Sequence, residues 1–307
     1  MARTELFSRR TPGGVYNIEN LGASAGARYF VSSITGSATG GYSPDGACLT
    51  IAQALALCTE NQATRTWADD RIYLLPGHTE VIAGAAGIAC NVAGVSIIGL
   101  GTGRLRPIIT YSTSTAAQMT VTGAQTLFRN VVWNFSGFSA VVAGISVTAA
   151  DVAFEDCEFV ISEGTNGVVL GILTAATAAR LRVERCRFIG PALSTDTTTA
   201  CIKHEVGVDY LIKDCYFTGK MTQAILNATA LLRGVIDNNR FVIATGTLAI
   251  SVHASSTPFI SNNRINVPSG TTPITAAAGF VAGNIYSAAA GVVSTGETSS
   301  TSSVSRL

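Results

Sequence analysis

Charge is scarce in this chain of 307 residues. Only 13% of them are Asp, Glu, Lys or Arg, against 47% hydrophobic, and the mean hydropathy is +0.37. That is apolar for a soluble monomer and implies surface buried against other copies or other chains. The formal net charge of +1 gives no broad attraction to polyanions, so neither nucleic acid nor a membrane is expected as a partner. No apolar run reaches the length of a membrane span. The opening Met1-Ala2-Arg3-Thr4-Glu5 has no apolar signal core, so the expectation is synthesis in a cytoplasm without signal-directed export. The seven cysteines include no Cys-x-x-Cys pair, which argues against a zinc site; their odd number reads as buried free thiols. Aromatic residues reach only 7%, and no exposed ring platform for stacking on sugars is expected.

What is present is a repeat. Phe154-Glu155-Asp156-Cys157-Glu158-Phe159 returns as Val183-Glu184-Arg185-Cys186-Arg187-Phe188 and as Ile212-Lys213-Asp214-Cys215-Tyr216-Phe217. Further copies are Ile236-Asp237-Asn238-Asn239-Arg240-Phe241 and Ile260-Ser261-Asn262-Asn263-Arg264-Ile265, with looser ones at Phe128–Trp133 and Val281–Tyr286. The central small residue falls at 131, 157, 186, 215, 239, 263 and 284, in steps of 26, 29, 29, 24, 24 and 21. A second alternating segment precedes each copy by roughly ten residues, as in Ile145-Ser146-Val147 and Ile202-Lys203-His204, the period of a half-buried strand. One coil cannot bury its own apolar face, but coils stacked about 4.8 Å apart share one core. The leucine-rich skeleton is absent and propeller blades are longer; a β-sandwich with chance motif copies is the remaining alternative. The expected fold is all-β: a right-handed parallel β-helix solenoid, its hand set by the crossover rule, with an N-terminal capping helix.

In this register Cys157, Cys186 and Cys215 stack at one inward position and pass into Asn239, Asn263 and Asn284, a thiol ladder followed by an asparagine ladder. Residues 28–94 read as the cap: a strand at Tyr29-Phe30-Val31, a turn at Ser43-Pro44-Asp45-Gly46, a short amphipathic helix from Leu49 to Cys58, and a strand at Arg71–Leu75. Residues 95–286 hold the coils. Residues 1–27 form a polar, Gly-containing arm, and residues 287–307 a Ser/Thr-rich tail expected to lack order on its own.

Ser43-Pro44-Asp45-Gly46, Thr50-Ile51-Ala52-Gln53-Ala54 and Ile72-Tyr73-Leu74-Leu75-Pro76-Gly77-His78-Thr79-Glu80 resemble the opening of tailed-bacteriophage β-helix proteins of pectin-lyase-like fold. The likeness covers about the first hundred residues. It implies a virion structural protein made in the host cytoplasm, most simply a trimeric capsid decoration protein held on the major capsid protein. The alternative it implies is a tail fibre or tailspike that meets other tail proteins and binds host surface glycan. Within the arm, Arg3, Phe7, Arg9, Arg10 and Tyr16 are the candidate attachment residues.

No catalytic motif matches. The clustered aspartates with Gly-His-Gly and Arg-Ile-Lys of a polygalacturonase are missing, and so is an acidic calcium cluster beside a catalytic arginine. Glu155 and Glu184 share one outward column and are the nearest approach to a carboxylate pair, while Asp156, Arg185 and Asp214 read as a solvent ladder of alternating sign. The expectation is therefore no enzyme, no cofactor, and no catalytic or metal-binding residue. His78 suits a cap. The outward column Arg187, Tyr216, Arg240 and Arg264 is either an ordinary solvated face or a surface for an anionic glycan or an acidic partner.

Overall fold

The structure, a computed structural model, describes residues 26–64, 69–84, 87–112, 115–137, 141–161, 168–175, 177–190, 198–205, 208–230, 232–245, 248–268, 273–276 and 278–288, with strand fragments at 9–10, 16–17 and 293–294. It is a parallel β-helix whose coils carry three strands each. Face 1 is a ladder of ten parallel strands beginning at Arg28–Val31 and ending at Phe280–Ala282. Face 2 runs from Thr79–Ile82 to Ile285–Ala288, and face 3 from Ile88–Cys90 to Ile274–Thr275. The ladder of face 1 thus starts inside the segment read as cap. Strand Tyr216–Asn227 crosses from face 2 to face 3 without a break: its first half pairs with Arg187–Ile189, its second half with Thr198–His204.

The sequence motif is the corner between faces 1 and 2. Asn130, Asp156, Arg185, Asp214, Asn238 and Asn262 all have φ between 52° and 57°, and Gly283 has φ 66°. A non-glycine residue in this left-handed region costs roughly 1–3 kcal/mol and persists only where its surroundings require it. Here it turns the chain so sharply that the next residue points inward. Those next residues are Val131, Cys157, Cys186, Cys215, Asn239, Asn263 and Asn284, all buried. Each stacked thiol donates to main-chain carbonyls; Cys186 Sγ lies 3.4 Å from Phe154 O and 3.3 Å from Glu184 O. Burial pushes the Cys157 and Cys186 thiols well up, so they stay protonated and unreactive. The asparagines satisfy the corner amides instead. The N–H groups of Cys215, Asn239 and Asn263 each donate to the Oδ1 of the asparagine one coil on, at 2.9 Å.

Behind the corner runs an aromatic column. Phe159, Phe188, Phe217 and Phe241 stack at centroid separations of 4.4, 4.7 and 4.8 Å with planes within 6° of parallel. Each contact adds about 0.5–1.5 kcal/mol beyond the area it buries. On face 3, Gly144 of strand Val141–Val147 lies against the Phe135 ring, and only glycine fits there: a Cβ would lie 2.2 Å from that ring.

The N-terminal end is closed by helix α1 (Ile51–Thr64), longer than the expected span. Its start is a reciprocal cap: Gln53 N–H donates to Thr50 Oγ1, and Gln53 Oε1 accepts from the N–H groups of Leu49 and Thr50. Glu80, from the first strand of face 2, accepts the Ile51 N–H at 2.9 Å. His78 is buried and takes the cap role read for it. Its Nδ1 accepts from Ser33 N–H at 3.0 Å, leaving Nε2–H to donate to Glu80 Oε2 at 3.2 Å. At the other end of the helix, Asp70 Oδ1 accepts from Asn61 Nδ2 and Ala27 N–H. No described helix is long and apolar enough to cross a membrane.

A second histidine lies deep in the core. His204 lies in register between Thr174 and Asn227, stacks on Tyr210 at 4.5 Å, and is 2% exposed. Burial drives its pKa down to about 3.

Two predictions follow from this interior. Cys186→Asp puts a carboxylate without a counter-ion among packed thiols and should cost on the order of 3 kcal/mol or more. Thermal melts should show it far below Cys186→Ser, and a wild-type melting temperature would disprove the inward ladder. The second concerns acid. The folded chain keeps His204 neutral, whereas the unfolded chain protonates it near pH 6.5. Its contribution is complete above pH 6.5 and declines by up to about 1.4 kcal/mol per pH unit as pH falls toward 3. His204→Gln should flatten the melting profile between pH 6.5 and 4. A slope that survives the substitution would assign acid lability elsewhere.

Candidate functional site

Two outward surfaces gather charged groups. On face 1 the register sets Glu155 directly against Glu184. Three arginines enclose the pair and the adjoining Asp156. Arg185 reaches Asp156 at 2.8 Å, Glu155 at 3.3 Å and Glu184 at 3.4 Å; Arg182 reaches Glu184 at 2.6 Å; Arg129 reaches Asp156 at 3.3 Å. The hydrogen bond from Arg185 holds the Asp156 carboxyl below the usual range. The third member of the alternating column, Asp214, accepts from Asn238 Nδ2 at 2.6 Å.

The opposite corner, where face 3 turns into face 1, has its own left-handed column: Gln125, Asp151, Arg180, Asp209 and Arg233. Asp151 pairs with Arg180 and Asp209 with Arg233, at 2.6 Å or less. A depression of about 390 Å³ lies among Asp151, Ala153, Arg180, Arg182, Asp209 and Leu211. Every charged group lining it is already ion-paired, which leaves no charge to hold a ligand.

Face 2 differs. Its outward column reads Glu158, Arg187, Tyr216, Arg240, Arg264, Ile285 in unbroken register. Glu158 takes both Arg187 and Arg106 at 3.3 Å. Arg240 lies over the Tyr216 ring, 5.5 Å from its centroid. Arg240 and Arg264 are exposed, stand directly opposite each other, and form no ion pair among the described residues. They border a cleft of about 290 Å³ completed by Val242, Asn266 and Ile285. Like charges facing each other across a ladder destabilise it, so this arrangement suits an anion that comes from outside.

The sequence placed this column correctly but missed two things. Its register with Ile285, and hence the cleft, needed the looser last copy of the motif. The expected lack of an exposed ring platform is corrected. Phe259 and Phe280, 44% and 55% exposed, stack at 4.9 Å on the last coils of face 1. They escaped notice because their positions precede the motif and carry no periodic signal before the final two coils. Of the arm residues, Arg3 and Phe7 lie outside the described residues. Arg9, Arg10 and Tyr16 are described only as backbone, in a short antiparallel pair joining Arg9 to Asn17 and Arg10 to Tyr16. Among the described residues no three His, Cys, Asp or Glu side chains converge as a metal site.

No family model matches the sequence, and no curated protein matches it. Among solved structures the chain is similar to one described as a rhamnogalacturonan lyase, with a TM-score of 0.48 and 11% identity over 84% of this chain and 87% of that one. That protein is an enzyme, which overturns the expectation that this chain is not one. The expectation rested on missing linear motifs. A solenoid brings together side chains some 29 residues apart, as it does Glu155 and Glu184, so a constellation built across coils leaves no linear motif to find. The chain folds as a parallel β-helix.

Proposed function

We propose that the protein binds an acidic polysaccharide along face 2. The observation behind this reading is the in-register pair Arg240 and Arg264, two exposed cations without counter-ions, flanked by the ring of Tyr216 and the cleft at Ile285. An extended polymer suits a straight column of side chains repeating about every 4.8 Å better than a compact ligand does. The neighbouring outward column, Val160, Ile189, Thr218 and Val242, supplies apolar contact for the carbon faces of sugar rings.

The resemblance of the first hundred residues supplies the setting. On a phage particle, a glycan-binding β-helix serves as a tail fibre or tailspike gripping the host surface. A trimer decorating the capsid is the second reading. It is favoured by exposed Ile34 and Leu105, which flank Gly77 at the N-terminal end and offer apolar area for attachment. Counting copies per particle separates the two.

The double variant Arg240→Ala/Arg264→Ala should weaken binding to an acidic polysaccharide at least tenfold, about 1.4 kcal/mol. Its melting temperature should hold or rise, since removing a like-charge contact relieves up to about 1 kcal/mol. Calorimetric titration and a thermal melt check both halves. Unchanged affinity would remove face 2 as the binding surface.

A further inference from the structure

We infer that face 2 recognises one acidic sugar at a time, its carboxylate held between Arg240 and Arg264, so that the preferred glycan is sparsely charged and not a dense polyuronate. The inference rests on the reading of face 2 as a glycan surface and adds the class of glycan. Its basis is a count of uncommitted charge along the groove. Arg187 and Arg106 share the one carboxylate of Glu158. Tyr216, next in the column, brings a ring and a hydroxyl but no charge. Lys220, at the far end of that strand segment, already has a partner. In the adjoining column Thr218, Val242 and Asn266 are uncharged. Along the groove, among the described residues, arginines without a carboxylate partner are therefore confined to two adjacent coils.

That spacing fits one anionic group. The strands lie about 4.8 Å apart, so the two guanidinium forks can each donate to one oxygen of a single planar carboxylate once Arg240 leaves its place over the Tyr216 ring. The cleft beside them fits the sugar that carries it. Asn266 offers an amide to ring hydroxyls, and Ile285 and Val242 offer apolar contact. A polymer charged at every residue would set its next carboxylates over Tyr216, which has no charge to pair with them, and then at Arg187, which already holds Glu158. A polymer with neutral sugars at those places meets a ring and an apolar column instead.

The test compares three probes by calorimetric titration over a range of salt: a neutral xylo-oligosaccharide, the same oligosaccharide bearing one glucuronate branch, and polygalacturonate. The singly charged probe should bind at least tenfold more tightly than the neutral one and at least as tightly, per site, as polygalacturonate. The dependence of log Kd on log salt should correspond to about one or two ions for both acidic probes. Arg264→Gln should abolish the preference for the acidic over the neutral oligosaccharide, with the melt of the protein unchanged. Polygalacturonate binding more tightly with a slope of four or more, or a preference that survives Arg264→Gln, overturns the single-carboxylate site while leaving face 2 a glycan surface. Binding of none of the three probes overturns both.

Discussion

Everything in this molecule hangs from one backbone conformation, repeated once per coil. The left-handed residue between faces 1 and 2 makes a corner so tight that the following side chain can only point inward. Once that position is set, the parallel ladders on both sides hold every coil in step with the last. The cost of placing Arg185 or Asp156 in that conformation is offset by what the corner secures: a paired amide, a packed side chain, and an outward charge that meets its opposite one coil away. The inward position tolerates either Cys or Asn because each answers the local carbonyls and amides in its own way. The thiol donates to carbonyls and stays apolar, whereas the asparagine also accepts an amide.

This explains how much could be read from the sequence. The motif was visible because the corner constrains three consecutive residues in every coil, which is dense information. The apolar-small-aromatic pattern around Cys157, Cys186 and Cys215 yields the inward ladder and the outward columns together. The third face could be inferred only as alternating segments such as Ile202-Lys203-His204, since no residue type is imposed there. The depth of His204 was not legible, because a histidine in an alternating strand reads the same whether its ring meets water or Tyr210. The helix start has a sign in the sequence, since Thr50 and Gln53 stand at capping-box spacing. The part played by Glu80 there was beyond reach, since it joins residues 29 apart.

The candidate site shows the same division. Arg187, Tyr216, Arg240 and Arg264 could be aligned by counting, yet their unequal standing could not. Only in three dimensions does Glu158 consume Arg187 while Arg240 and Arg264 stay uncompensated. On face 1 the reverse holds: the acidic residues that drew attention are enclosed by arginines, and the uncovered feature is the aromatic pair Phe259 and Phe280. A column of charges is informative through its imbalance more than its composition.

The unbroken strand Tyr216–Asn227 has a bearing on how such a chain can change over time. The coils stepping from Cys157 to Cys186 and on to Cys215 take 29 residues each, the next two only 24. The crossing strand lies where the count drops: the step from Ile189 to Thr198 spans nine residues and the paired step from Thr218 to Met221 only three, one residue is added between faces 3 and 1, and pairing resumes on every face. The junction of faces 2 and 3 is therefore the elastic seam of the solenoid. It is the place where length can be gained or lost without disturbing the corner, and where a foreign peptide could be carried on the outside of an otherwise unaltered rod.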